Sequence, residues 1–166
     1  MATLTNNMNY LMPTGFKIVI DRENYPNIEY FCQSVSHPSL SLAPSELPYR
    51  KVRNIPLPGG TIDYGNLDIS IILDEDLKGY TEMHDWMIRI TDEKLQGPLD
   101  RVTGGVPSSA DITLTVLNSQ NNKVKSIRYN QCSPTELGAI SFDTTGGGTD
   151  YLTCTMSFRF LNFELI

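Results

Sequence analysis

The sequence predicts a mainly β domain with one amphipathic helix. Two observations carry this. Short apolar runs with a period of two lie between turn residues spread along the whole chain, 12 Gly and 10 Pro among 166 residues, the pattern of strands joined by turns. One stretch, 76–90, instead repeats its apolar residues at steps of three and four, the spacing of a helix face.

The first strand is Phe16–Ile20 (FKIVI). Ile28–Ser34 (IEYFCQS) reads as its partner, across a turn holding Asn24, Pro26 and Asn27. Residues 36–60 contain Pro38, Pro44, Pro48, Pro56 and Pro58-Gly59-Gly60. Proline fixes φ and removes backbone donors, so a long irregular arm is expected there, with an edge strand over Tyr49–Ile55. Leu67–Leu73 (LDISIIL) is a strand that runs into the helix, whose apolar face is Leu77, Tyr80, Met83, Met87 and Ile90. Asp74-Glu75-Asp76 stands at the helix start and Arg89 near its end, as the helix dipole favours. Gly97-Pro98, Gly104-Gly105 and Pro107 mark a second loop. Ile112–Leu117 and Val124–Tyr129 form a hairpin about the turn SQNN, and Ala139–Phe142 is short. The last strand is long, Tyr151–Phe163. It has Leu152, Cys154, Met156, Phe158 and Phe160 on one face and Thr153, Thr155, Ser157 and Arg159 on the other. At about 3.3 Å per residue it would run roughly 40 Å. Gly59-Gly60 and Gly146-Gly147-Gly148 read as turns that need positive φ.

The length predicts one domain, residues 1–166, able to bury about two-thirds of its unfolded surface without disulfide or metal. The net charge of -6 argues against a dedicated nucleic-acid binder, which needs a basic stripe to displace counterions, and against binding to anionic membranes. No span of 18 apolar residues occurs, and the uncharged first sixteen residues have no basic or apolar signal region, so neither a transmembrane helix nor a signal peptide is expected. Cys32, Cys132 and Cys154 form no CxxC pair and read as free thiols. His37 and His84 have no partner at metal-ligand spacing. Asp74-x-Asp76-x-Lys78-Gly79 half-matches a calcium loop, but Lys78 puts a cation at a ligand position and a strand precedes it. The glycine runs lack the Lys and Ser/Thr of a phosphate loop. No catalytic site, metal or cofactor is expected, and an enzyme reading ranks last.

Three stretches stand together: FKIVIDRENYPNIEYFCQSVSHPSLSL, LDISIILDEDLKGYTEMHDWM and FDTTGGGTDYLTCTMSFRFLNFELI. From about Gly15 to the C-terminus the chain resembles the tail tube proteins of contractile-tailed bacteriophages. The strand-to-helix stretch with its DEDL and Trp86 is the most specific part. The resemblance implies an antiparallel β-sandwich or barrel-like subunit with one flanking helix. Six subunits would form a ring, rings would stack into a hollow tube inside the sheath, and DNA would pass through it into the host. The implied partners are further copies of the chain, the sheath protein, a baseplate hub or tube initiator, and tape-measure protein and double-stranded DNA in the lumen, with no membrane. The implied location is the virion tail, after synthesis in the host cytoplasm. A hub or initiator protein of the same fold is the alternative within the class, and a monomeric ligand-binding β-sandwich the alternative outside it.

Within that reading, Tyr151, Thr153, Thr155, Ser157 and Arg159 are expected on an unprotected assembly strand, since exposed strand edges invite pairing. Pro44, Leu47, Pro48, Tyr49, Arg50, Pro56 and Pro58 are expected on an arm that reaches a neighbouring ring. Six subunits lending four strands each would give a barrel roughly 48 Å across. Its inner wall is expected to be neutral or acidic and built from short Thr, Ser and Asn residues with some carboxylates. DNA carries a negative charge every ~1.7 Å, and a basic wall would hold it.

Overall fold

A computed structural model describes residues 9–21, 24–49, 53–91, 109–143 and 151–166. In chain order they form β1 (Phe16–Val19), α1 (Pro26–Tyr30), β2 (Cys32–Ser36), β3 (Leu40–Leu42), β4 (Ser45–Tyr49), β5 (Arg53–Leu57), β6 (Ile62–Tyr64), β7 (Leu67–Ile72), α2 (Lys78–Thr91), β8 (Ala110–Leu117), β9 (Lys123–Leu137), β10 (Thr153–Arg159) and β11 (Asn162–Leu165).

The main sheet is antiparallel, in the order β1-β8-β9-β10-β7-β2, with β11 also on β9. It is bent into two layers by β9. The first part of β9 pairs with β8 and β11 and the last part with β10. Gln131, with φ of 54°, marks the corner. Asp111 holds it: Oδ1 accepts from the Gln131 backbone N–H at 3.0 Å and Oδ2 from Arg128 Nη2 at 2.5 Å. Both bonds lower the carboxyl's pKa, the backbone bond most.

The core lies between the layers. Ile112, Tyr129 and Cys132 come from one, Leu67, Ile69, Ile71, Met156 and Phe158 from the other, and each is 0% exposed. The alternation anticipated in β7 and β10 is therefore real, and each fully buried Leu or Ile contributes about 1.5–3 kcal/mol. Helix α2 closes the core with Met83 and Trp86, both fully buried. The Trp86 ring stacks on Tyr25 at 4.3 Å and lies 5.7 Å from Phe158.

Several expectations change. Ile28–Ser34 is not one strand but the last part of α1 followed by β2, and β1 and β2 do not pair. Each joins a different neighbour, β8 and β7. The cause is long-range: the Glu82 carboxylate on α2 accepts from the Asn27 and Ile28 backbone N–H groups, orphan donors of a helix start. The long terminal strand breaks at Phe160–Leu161 into β10 and β11, opposite the corner in β9. Residues 139–142 form no strand. The arm is not irregular but two short ribbons, β3 with β6 and β4 with β5. The expected SQNN turn is present, with Asn118 Oδ1 accepting from Gln120 and Asn122. Gly59 has no positive φ. Its place is set by contact, since a Cβ there would lie 1.3 Å from the Ala43 carbonyl oxygen. The 97–107 loop and the Gly146–Gly148 turn lie outside the described residues.

Candidate assembly surface

The layer β9-β10-β7-β2 buries one face and presents the other. On the presented face Thr155 pairs with Ser70, Ser157 with Asp68, Ser34 with Ser70, Ser36 with Asp68, and Arg159 with Ser133. Thr153 and Glu136 share this face. The result is a carpet of serine and threonine carrying Asp68, Glu136 and Arg159, one net negative charge in all, with the half-buried Ile72 opposite Thr153. Ser157 Oγ donates to Asp68 Oδ1 at 2.6 Å, and Thr135 Oγ1 donates to the Ser157 carbonyl at 3.1 Å. These bonds fix the carboxylate within the hydroxyl carpet.

The open edges of this layer are not where the sequence suggested. Strand β10 is interior, with β7 on one side and β9 on the other. Thr155 and Ser157 are therefore not on an open edge, since each meets β7 on one side and β9 or Gly138 on the other, while Thr153 pairs only with Ile72 of β7 and Arg159 only with Ser133 of β9. Tyr151 precedes the strand and accepts a hydrogen bond from Gln33 at 3.0 Å. Among the described residues the open edges are β2 and the last part of β9, Ser133–Leu137. The β2 edge faces the free edge of β1 across a groove of about 560 Å³ lined by Phe16, Lys17, Glu29, Cys32 and Gln33 among others.

The arm leaves the same layer between β2 and β7. Its ribbons bring Leu40 opposite Tyr64, Leu42 opposite Ile62, and Leu47 opposite Ile55. All six side chains are exposed. Asn54 donates to Glu46 at 2.6 Å across the outer ribbon. Pro44 and Pro58 flank it and are exposed, while Pro48, Tyr49 and Pro56 lie within its strands. Arg50 lies outside the described residues. A cluster that the sequence did not single out forms where the arm meets the core. His37 Nδ1 lies 2.7 Å from the Tyr129 hydroxyl, and Tyr64 packs on Phe160 and Phe163. Burial lowers the His37 pKa and raises that of Tyr129. The apolar character of Phe160 and Phe163 was legible, but not their convergence with a histidine more than 120 residues earlier.

On α2, Met83 is fully buried, and Tyr80, Met87 and Ile90 are partly buried against the core. Leu77 is not on that face. It precedes the helix with φ of 54°, and its carbonyl accepts from Thr81 N. Trp86, three residues after Met83, also fits the apolar repeat and is buried; the sequence reading placed the face on its neighbour Met87 instead. Burial raises all three thiols, Cys32 to about 11 and Cys132 to about 12. Among the described residues, no group of three His, Cys, Asp or Glu could hold a metal, and no helix is long and apolar enough to cross a membrane.

No family profile matches the chain. The tail tube terminator protein of Enterobacteria phage T4 is 30% identical to it over 109 residues, 65% of this chain and 60% of that protein. The aligned chain thus spans about three-fifths of its relative's length. Among solved structures, the tube-terminating cap of the anti-feeding prophage matches 99% of this chain and 95% of its own, with a TM-score of 0.69 at 16% identity. The sheath–tube complex of an extracellular contractile injection system matches 96% of this chain and 93% of its own, with a TM-score of 0.67 at 19% identity. The chain has the mainly β tube fold of contractile tails and injection systems, and over 65% of its length its sequence is similar to a phage tail tube terminator.

Proposed function

We propose that this protein is a ring-forming structural component of the tube in a contractile tail, located in the virion, with no enzymatic role. The observation that carries this reading is the hydroxyl-covered layer with two open edges. Six copies, joined β2 to the last part of β9 of the next copy, would close four-stranded layers into one continuous barrel. The hydroxyl face would then line the channel, with a slight excess of carboxylates. Such a wall lets double-stranded DNA or a tape-measure protein slide, because it offers no cationic row to hold phosphates. The opposite layer would face the sheath, and the arm would meet the next ring.

The position of the ring in the tube has two readings. An arm placed to meet the next ring suits the repeating tube subunit. The relationship to a terminator protein favours a ring that ends the tube and meets it on one side only. Negative-stain microscopy of the purified full chain separates them: long tubes support the repeating subunit, and single rings that cap preformed tubes support the terminator. A persistent 18.6 kDa monomer at high concentration, with no rings, rejects both.

A further inference from the structure

We infer that the aromatic cluster at the base of the arm is a clamp that sets the arm's direction, and so governs how one ring docks on the next. This rests on the ring reading above. A two-stranded ribbon has little stability or direction of its own. The inner ribbon here has only three residues in each strand. Its orientation must therefore come from where it is rooted, and both of its roots carry a ring into one cluster.

On the incoming side, His37 meets the Tyr129 hydroxyl and sits edge-on to Phe163 at 5.1 Å. On the outgoing side, Tyr64 lies 5.5 Å from Phe160 and 5.6 Å from Phe163. Phe160 in turn meets Tyr129 edge-on at 5.2 Å. These distances are those of interacting aromatic pairs. The three receiving rings stand beside the corner of the main sheet, Tyr129 just before Gln131, Phe160 in the break between β10 and β11, and Phe163 just after it. The chain closes over the clamp where Gly65 N donates to the Ser39 carbonyl at 2.9 Å. The ribbon is thus keyed to the most strongly bent part of the fold. Tyr64 and His37 act as positioning residues: neither needs to touch the neighbouring ring.

The test compares the wild-type chain with Tyr64→Ala, Tyr64→Phe and His37→Ala. Ring formation is read by mass photometry, docking by microscopy of stacked or capped tubes, and arm order by hydrogen exchange at the Ala43 and Gly65 amides. Tyr64→Ala is expected to form rings with unchanged melting temperature, to exchange at those amides at least tenfold faster, and to lose docking at least tenfold. His37→Ala should show the same pattern, and Tyr64→Phe, which keeps the ring, should restore both readouts. Tyr64→Ala rings that dock normally, with or without faster exchange, would overturn the clamp. So would Tyr64→Phe failing like Tyr64→Ala. Absence of rings in the wild type would instead reject the ring reading, leaving the amide exchange to decide the clamp.

Discussion

Replacing Trp86 by alanine probes the link between helix and sheet most directly. The indole is fully buried, stacked on Tyr25 at an interplanar angle of 17° and tilted against Phe158. A buried aromatic of this kind removes about 150–250 Å² from water. At about 25 cal/mol per Å² that is roughly 4–6 kcal/mol, and aromatic-to-alanine changes in cores cost about 3–5 kcal/mol because the cavity collapses only partly. An expected loss of about 4 kcal/mol is a large share of the roughly 5–15 kcal/mol that hold a domain together. For a chain of this size it should lower the melting temperature by roughly 8–16 °C. Urea unfolding followed by far-UV circular dichroism is the assay, since the substitution removes the chain's single tryptophan. The midpoint should fall at constant slope, and Trp86→Phe should recover more than half the loss. A loss below about 1 kcal/mol with unchanged slope would refute the placement of α2 on the sheet.

Thr155→Pro should destabilise the fold itself rather than only assembly, because β10 is interior and proline removes a ladder donor there; a wild-type-like melting temperature would contradict that topology. Gly59→Ala should disturb the arm, since its Cβ meets the Ala43 carbonyl, and leave the core's melting temperature unchanged; faster exchange at Ala43 N–H without a shift in melting checks this. The Asp111 carboxyl is held below its ordinary pKa by the Gln131 amide and Arg128. A depressed folded-state pKa adds stability above the unfolded value near 4, lost as the pH falls through the folded one. The stability difference between wild type and Asp111→Asn should therefore be larger at pH 6 than at pH 3 in urea titrations.

Much of the candidate assembly face was legible in the residues. Thr153, Thr155, Ser157 and Arg159 alternate with Cys154, Met156 and Phe158, and this alone sorts one wet and one buried face, because a strand's side chains change sides at every residue. The same periodicity located β1, β7 and the β8–β9 hairpin, and apolar steps of three and four located α2. This face carries short hydroxyls with Asp68, Glu136 and Arg159, and only the proposal above turns it toward a channel.

Which edges stay open is not written in any local pattern. Strand β10 looks unprotected in sequence, yet β7 and β9 flank it, because pairing depends on which strands the whole chain brings alongside. The helix at Pro26–Tyr30 likewise depends on Glu82, more than 50 residues away, to satisfy its first amides. The arm's prolines correctly signalled a departure from the main sheet. They did not reveal that the flanking residues pair into ribbons, nor that His37 and Tyr64 converge on Phe160 and Phe163. Period and composition act between near neighbours and therefore appear in the sequence. Strand order, open edges and the aromatic clamp arise from contacts across the chain, which only the tertiary structure decides.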